Sequence, residues 1–424
     1  MTGGDQSPVA PPLDALARDY LLLALAAGNQ FDGVVDAYYG PPELRAAADA
    51  RTSTPAELAT QAAALRGRVL ADEPDAQRRD WLDRQLVALE TILRRLAGEE
   101  IGYLEEVERC FDIAPAATPD DVYDGAFAAL EELLPAGDNL AERVEQRGRR
   151  LTIPIERLPA VVDWLVKELR TASLRHFPAP VGEELAISLV SGQPWSAYNW
   201  YDGSLSSRIE INTDLPVRAG GLIGTLSHEC FPGHHLEHAW KEQRLYREQG
   251  RAEASVLLIN TPEAYISEGL AELGESLIID REQWTALLAG VCARAGLELS
   301  TDELAGQWQI SQALDALHGV GSDAALLLHH QRRPREEVID FIERRALRTR
   351  MQAEQTLGFI DHRLWRTYVF CYAGGKRLLT EWCAAAGEPA AQRDRFLRLL
   401  TEQLTPSGIA AELGRSAAAE ARPA

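Results

Sequence analysis

Four of the chain's nine histidines lie between residues 228 and 238, in the segment His228-Glu229-Cys230-Phe231-Pro232-Gly233-His234-His235 and at His238 just beyond it. Neutral imidazole nitrogen is the commonest protein ligand for a metal ion. A His-Glu pair on a helix, with another His about one turn later, offers zinc two nitrogens and sets a carboxylate beside a bound water. Zinc lowers the pKa of such a water to about 7, within reach of a Glu acting as general base.

The spacing departs from HExxH. On an unbroken helix His234 lies about 120° around from His228, and His235 lies on the same face but about 10 Å further along. Neither pairs well with His228 on one ion. Pro232 would clash with the carbonyl of His228, and Gly233 lets the backbone bend, so the spacing predicts a bulge at Pro232-Gly233. With two residues looped out, His234 takes the place of the second ligand, His235 is the competing choice, and His238 is a neighbour. A third ligand is expected from Glu268, 34 residues after His234 on a helical run. Glu272 lies one turn along the same face and suits a hydrogen bond to a ligand imidazole, with Glu275 as an alternative. One zinc per chain follows, held by His228, His234 and Glu268, with Glu229 as base. His329-His330 lacks a nearby acidic or thiol partner and is read as structural.

The elements that must position these groups are helical. Trp81, Leu82, Leu86, Leu89, Ile92 and Leu93 recur at threes and fours. Thr-Pro pairs at 54-55, 118-119, 261-262 and 405-406 mark helix starts, with Thr as cap and Pro in the first turn. Two strands are predicted, Glu184 to Val190 and Ser207 to Thr213, with a turn-rich aromatic stretch, Pro194 to Gly203, between them. The expected fold class is mainly α, with a small β element beside the motif helix. Expected divisions are a loose tail at 1–12, a helical N-terminal lobe at 13–180, a catalytic lobe at 181–416 and a frayed tail at 417–424. The boundary falls where Pro178 and Pro180 interrupt a helix.

Composition narrows the class. The 424 residues are 46% hydrophobic and 25% charged, as in ordinary globular proteins. A net charge of -21 argues against nucleic acid as a partner. No apolar run approaches a membrane span, the longest being Tyr20 to Ala27, and residues 1–12 lack the pattern of a signal peptide. Five scattered cysteines without CxxC spacing suit reduced, mostly buried thiols, so a cytoplasmic location is expected.

His228-Glu229-x-x-Pro232-Gly233-His234-His235 followed by Glu268-Gly269-x-Ala271-x-x-x-Glu275 resembles a widespread bacterial family known as a domain of unknown function, which is similar to the gluzincin metallopeptidases. The resemblance is clearest from Tyr198 to Tyr372. It implies a large helical metallopeptidase-like fold and zinc-dependent cleavage of short peptides or related amides. The segment Ser207 to Pro216 resembles the family strand that leads into the motif helix; in gluzincins an edge strand near the zinc holds the substrate backbone. Tyr372-Ala373-Gly374-Gly375 resembles a family Tyr-x-x-Gly segment, whose tyrosine would stabilise an oxyanion. Tyr368, one turn earlier, competes for that role. The family's usual Glu-Gly-Trp-Ala is Glu-Gly-Leu-Ala here. A nearby carboxylate anchor would come from Arg363, Arg366 or Lys376. The alternative function is a catalytically silent metal-binding or interaction protein that keeps this fold; an intact Glu229, not needed to bind zinc, argues against it.

Overall fold

The computed structural model describes residues 13–193 and 195–414; the two expected tails lie outside them. The fold is mainly α with two small sheets. Within the helix Ala15–Gly28, Tyr20 to Ala27 are apolar on all sides and all buried, so this run is a central part of the core. The helix Ala76–Leu96 buries every member of the predicted apolar stripe, and Asp75 caps it by accepting from the amides of Gln77 and Arg78. Three of the four Thr-Pro pairs cap helices as expected, at Thr54, Thr261 and Thr405. Thr118 does not: Pro119 occupies the cap position of the helix Asp120–Leu133, and the Thr118 amide donates to Asp323 instead.

The strands are β1 (Val35–Tyr38), β2 (Glu184–Val190), β3 (Ala197–Gly203), β4 (Ser206–Asn212) and β5 (Val256–Leu258). β2 and β4 match the predicted strands. β3 lies within the stretch read as aromatic and turn-rich, where the sequence predicts no strand. It forms a tight hairpin with β4 through Ser204 and Leu205, both at positive φ. β4 is therefore the central strand of the order β2-β4-β3, paired on both sides, and β3 is an edge. A strand with both edges occupied cannot take a substrate backbone by strand addition, so the role implied for Ser207 to Pro216 does not fit β4.

Two hydrophobic cores interleave along the chain, and neither follows a division at 180. One gathers residues 17–134 with 252–265 and 310–371; the other gathers 151–177 with 209–236, 266–295 and 379–409. The helix Pro262–Ile278 belongs to both, with Ala264 and Tyr265 in the first and Ile266, Leu270 and Leu273 in the second. β1 crosses between regions too, pairing antiparallel with β5. All five cysteines are buried free thiols, and among the described residues no helix is long and apolar enough to cross a membrane.

Candidate metal centre

The motif is carried by two helices rather than by one helix with a bulge. The first, Ala219–Glu229, ends on the His-Glu pair, and the second, His234–Lys241, begins on the next histidine. Proline in the fourth position after His228 cannot continue the helix. The chain turns through Cys230 to Gly233 with a cis Phe231-Pro232 bond. The Gly233 amide donates to the carbonyl of Ser227 at 3.0 Å. A Cβ on Gly233 would stand 1.8 Å from the carbonyl oxygen of His228, so only glycine lets the second helix start this close to the end of the first.

This approach sets His228 Nε2 3.1 Å from His234 Nε2. Glu268, on the helix Pro262–Ile278, completes the group: Oε2 lies 3.3 Å from His228 Nε2 and Oε1 lies 3.7 Å from His234 Nε2. One ligand atom from each of the three residues falls within 4.8 Å of the others. Donors bound to a tetrahedral zinc at about 2.0–2.1 Å stand about 3.3–3.4 Å apart, which these separations bracket.

Each imidazole turns its other nitrogen to a polar partner. His228 Nδ1 faces Glu272 Oε1 at 3.4 Å. His234 Nδ1 lies 3.2 Å from Ser267 Oγ, which donates to Glu237 Oε2 at 2.5 Å. Protons held on the Nδ1 side leave two Nε2 lone pairs facing each other, an arrangement that calls for a cation between them. Glu268 Oε2 points the same way: it is buried with no hydrogen-bond partner among the described residues, while Oε1 accepts from Tyr368 at 2.6 Å. A buried carboxylate oxygen without a donor is costly unless a charge meets it. The residues therefore fit a divalent metal with N/O preference.

The electrostatics agree. Burial opposes a proton on His228, yet Glu268 and Glu272 hold its pKa well above the ordinary value. Burial likewise raises Glu272, but His228 outweighs it and brings the carboxyl down to about 2. Without a metal, protons on imidazole supply the positive charge that these carboxylates demand.

Glu229 is 9% exposed, and its side chain takes part in no hydrogen bond or ion pair among the described residues. Burial pushes its carboxyl up, His228 and His234 pull it down, and Glu268 and Asp36 push it up again. Its backbone carbonyl accepts from Asn199 Nδ2 of β3 at 2.9 Å, tying the end of the motif helix to the sheet.

The alternatives separate by geometry. His235 is fully buried with both ring nitrogens engaged, Nδ1 with Ser207 Oγ and Nε2 with Glu183 Oε2, each at 2.9 Å. It pins the second helix to β4 and to the loop before β2, away from His228. His238 stacks on His234 with centroids 5.7 Å apart, and burial pushes its pKa down to about 3. Glu272, not Glu275, meets the ligand imidazole. Tyr368 is committed to Glu268, whereas Tyr372, half-buried on the helix Phe370–Ala384, packs edge-on against Tyr368 at 5.8 Å. Its hydroxyl makes no hydrogen bond among the described residues, and burial, with Glu268 and Glu229 nearby, keeps it protonated. Arg366 pairs with Glu106, Arg363 lies over the Phe31 ring, and Lys376 bonds Asp315 at 2.7 Å. His329 donates to the carbonyl of Ile360 and packs on Tyr103.

Several participants carry little sequence signal. Lys241 donates to Glu237 Oε1 at 2.6 Å and also meets Glu263, which accepts from Trp81 Nε1 at 2.7 Å. The four-residue spacing of Glu237 and Lys241 on one helix is the only trace of that chain in the sequence. Asp36 of β1 accepts from the Tyr198 hydroxyl of β3 within electrostatic reach of His234 and Glu268. No local pattern marks either residue.

No protein-family model matches the chain, and no curated protein matches it. Among solved structures the chain is similar to one described as "The crystal structure of the putative lipoprotein from Colwellia psychrerythraea", with a TM-score of 0.53 and 15% identity over 84% of this chain and 66% of that one. That likeness is one of fold alone. The chain spans just under two thirds of that protein's length.

Proposed function

We propose that the protein is a zinc-dependent hydrolase that cleaves short peptides or related amides. The observation that carries this reading is the convergence of His228 Nε2, His234 Nε2 and a Glu268 oxygen that accepts no hydrogen bond among the described residues, with the uncommitted Glu229 carboxylate beside them. His228, His234 and Glu268 would hold one zinc. Bound there, zinc would acidify a water and polarise a carbonyl. Glu229 takes the proton of the attacking water and delivers it to the leaving amine. Burial suits this task, because it brings the carboxyl's proton affinity toward that of its partners. The protonated Tyr372 hydroxyl donates to the developing oxyanion. Tyr368 orients Glu268, and Glu272 and the Ser267–Glu237 pair orient the two imidazoles.

The test is metal content and turnover together. Protein purified without added metal is expected to carry one zinc per chain and to cleave members of a short-peptide library. A chelator should abolish turnover and zinc should restore it. Absence of any transition metal, with no uptake on adding zinc, would sink the centre; metal without turnover would leave a silent metal-binding protein.

A further inference from the structure

Asp36 is the extra residue of a β-bulge. Val35 pairs with Leu258 and Ala37 with the adjacent Leu257, so Asp36 has no residue opposite it. A bulge re-aims one side chain out of the alternating pattern of its strand. Here the re-aimed carboxylate meets Tyr198, whose hydroxyl donates to Oδ1. The Tyr198 ring is itself held between Trp195 and Trp200, with centroids at 5.7 and 4.5 Å. Oδ2 takes part in no hydrogen bond among the described residues. Burial pushes the Asp36 carboxyl up, Tyr198 and His234 pull it down, and Glu268 pushes it up again, so Asp36 lies within electrostatic reach of the centre.

We infer that Asp36 is the anchor for a free amino terminus, so that the centre takes peptides by their ammonium end. The cleavage itself rests on the hydrolase reading above; the binding does not. Three observations carry the inference. A half-buried acid sits on an irregularity that serves no pairing of its own and is fixed, with an oxygen to spare, by Tyr198, whose neighbour Asn199 holds the Glu229 carbonyl at the centre. The side chains around the centre are mostly acidic: Asp36, Glu229, Glu237, Glu268 and Glu272 against Lys241 and Lys376. Of the three groups that could have held a carboxylate end, Lys376 is spent on Asp315 and Arg366 on Glu106, while Arg363 is exposed and lies over the Phe31 ring. An ammonium donating to a fixed carboxylate makes a charge-assisted hydrogen bond, and acetylating the amine removes the charge.

The experiment uses the full chain with Glu229→Gln, loaded with zinc, so that bound peptides persist. A short-peptide library is offered in free-amine and in N-acetylated form, and the retained peptides are quantified by mass spectrometry. Free-amine peptides should be retained roughly tenfold to a hundredfold better. Asp36→Asn, added to the same protein, should bring the two forms within about threefold of each other, while Tyr198→Phe, which leaves the charge, should keep most of the preference. Equal retention, preference for the acetylated form, or retention of neither overturns the anchor, and so does a preference that survives Asp36→Asn in folded protein. If Asp36→Asn does not fold, the ratio in the parent protein decides alone. Wild-type turnover is scored separately. Selective retention without turnover would overturn the hydrolase reading and leave the anchor standing; turnover without selectivity would do the reverse.

Discussion

Gly269 and Gly375 bring two helices together backbone to backbone: a Cβ on Gly269 would stand 2.6 Å from the carbonyl carbon of Gly375. Gly269 follows the candidate ligand Glu268, and Gly375 lies three residues after Tyr372 on the helix Phe370–Ala384. The contact sets how far the tyrosine pair sits from the carboxylate, and the Tyr368–Glu268 hydrogen bond spans the same joint. Gly375→Val should push the helices apart, lowering stability by about 1–3 kcal/mol or more and weakening zinc retention in parallel. Thermal unfolding and zinc titration check this. Unchanged zinc affinity in the substituted protein would show that the joint does not position Glu268.

Glu229 and Glu268 should separate chemistry from binding. Glu229→Gln keeps the volume but cannot take a proton, so zinc content should stay near wild type while turnover falls by about 10²-fold or more. Glu268→Gln offers zinc a poorer, uncharged donor, so zinc affinity and activity should fall together. Measuring both quantities in both variants gives four numbers. Loss of zinc in Glu229→Gln would make that carboxylate a ligand and reverse the roles.

His234 and His235 are adjacent in sequence but should fail in different ways. His234→Ala should abolish zinc retention. His235→Ala instead strands the buried Ser207 hydroxyl and leaves Glu183 with Arg170 alone. It should therefore lower the stability of metal-free protein by roughly 1–3 kcal/mol and weaken zinc binding less. Denaturant unfolding with chelator present measures the first effect, and equilibrium dialysis the second. The opposite order of zinc loss would move the ligand to His235.

Glu275 gives a pH dependence with a definite sign. Burial pushes its carboxyl up to about 7 against the ordinary 4.5, with Lys376 working the other way. Between those values the folded chain holds a proton that the unfolded chain has released. Stability from this group is thus full at and below the unfolded value and is lost as pH rises toward 7. Glu275→Gln cannot ionise, so it should gain on wild type across that window, by up to roughly 3 kcal/mol. Unfolding of metal-free protein at pH 5 and pH 7.5 tests it; a gap between the two proteins that does not widen with pH would refute the buried, neutral carboxyl.

The sequence by itself determined the helical class, most of the caps and the candidate ligand set. Those features are local: apolar spacing of three and four, Thr-Pro starts, and a His-Glu pair broken by Pro-Gly are legible within a dozen residues. Glu268 was legible as well, because an acid on a helix beyond the motif is the donor that two histidines lack. The tertiary structure decided what distance along the chain hides. Which of His234 and His235 faces His228 depends on the turn through Gly233 and on what waits on the other side of the helix, Ser207 and Glu183 for His235. The hairpin in the aromatic stretch depends on Ser204 and Leu205 adopting positive φ, which neither residue type advertises. The interleaved cores have no signature at residue 180, since a proline-broken helix end looks the same within a domain as between two. Asp36 comes within electrostatic reach of the centre only because β1 pairs with a strand more than 200 residues later and bulges at that one residue. Such pairing is fixed by packing between distant segments, and no window of sequence contains both partners.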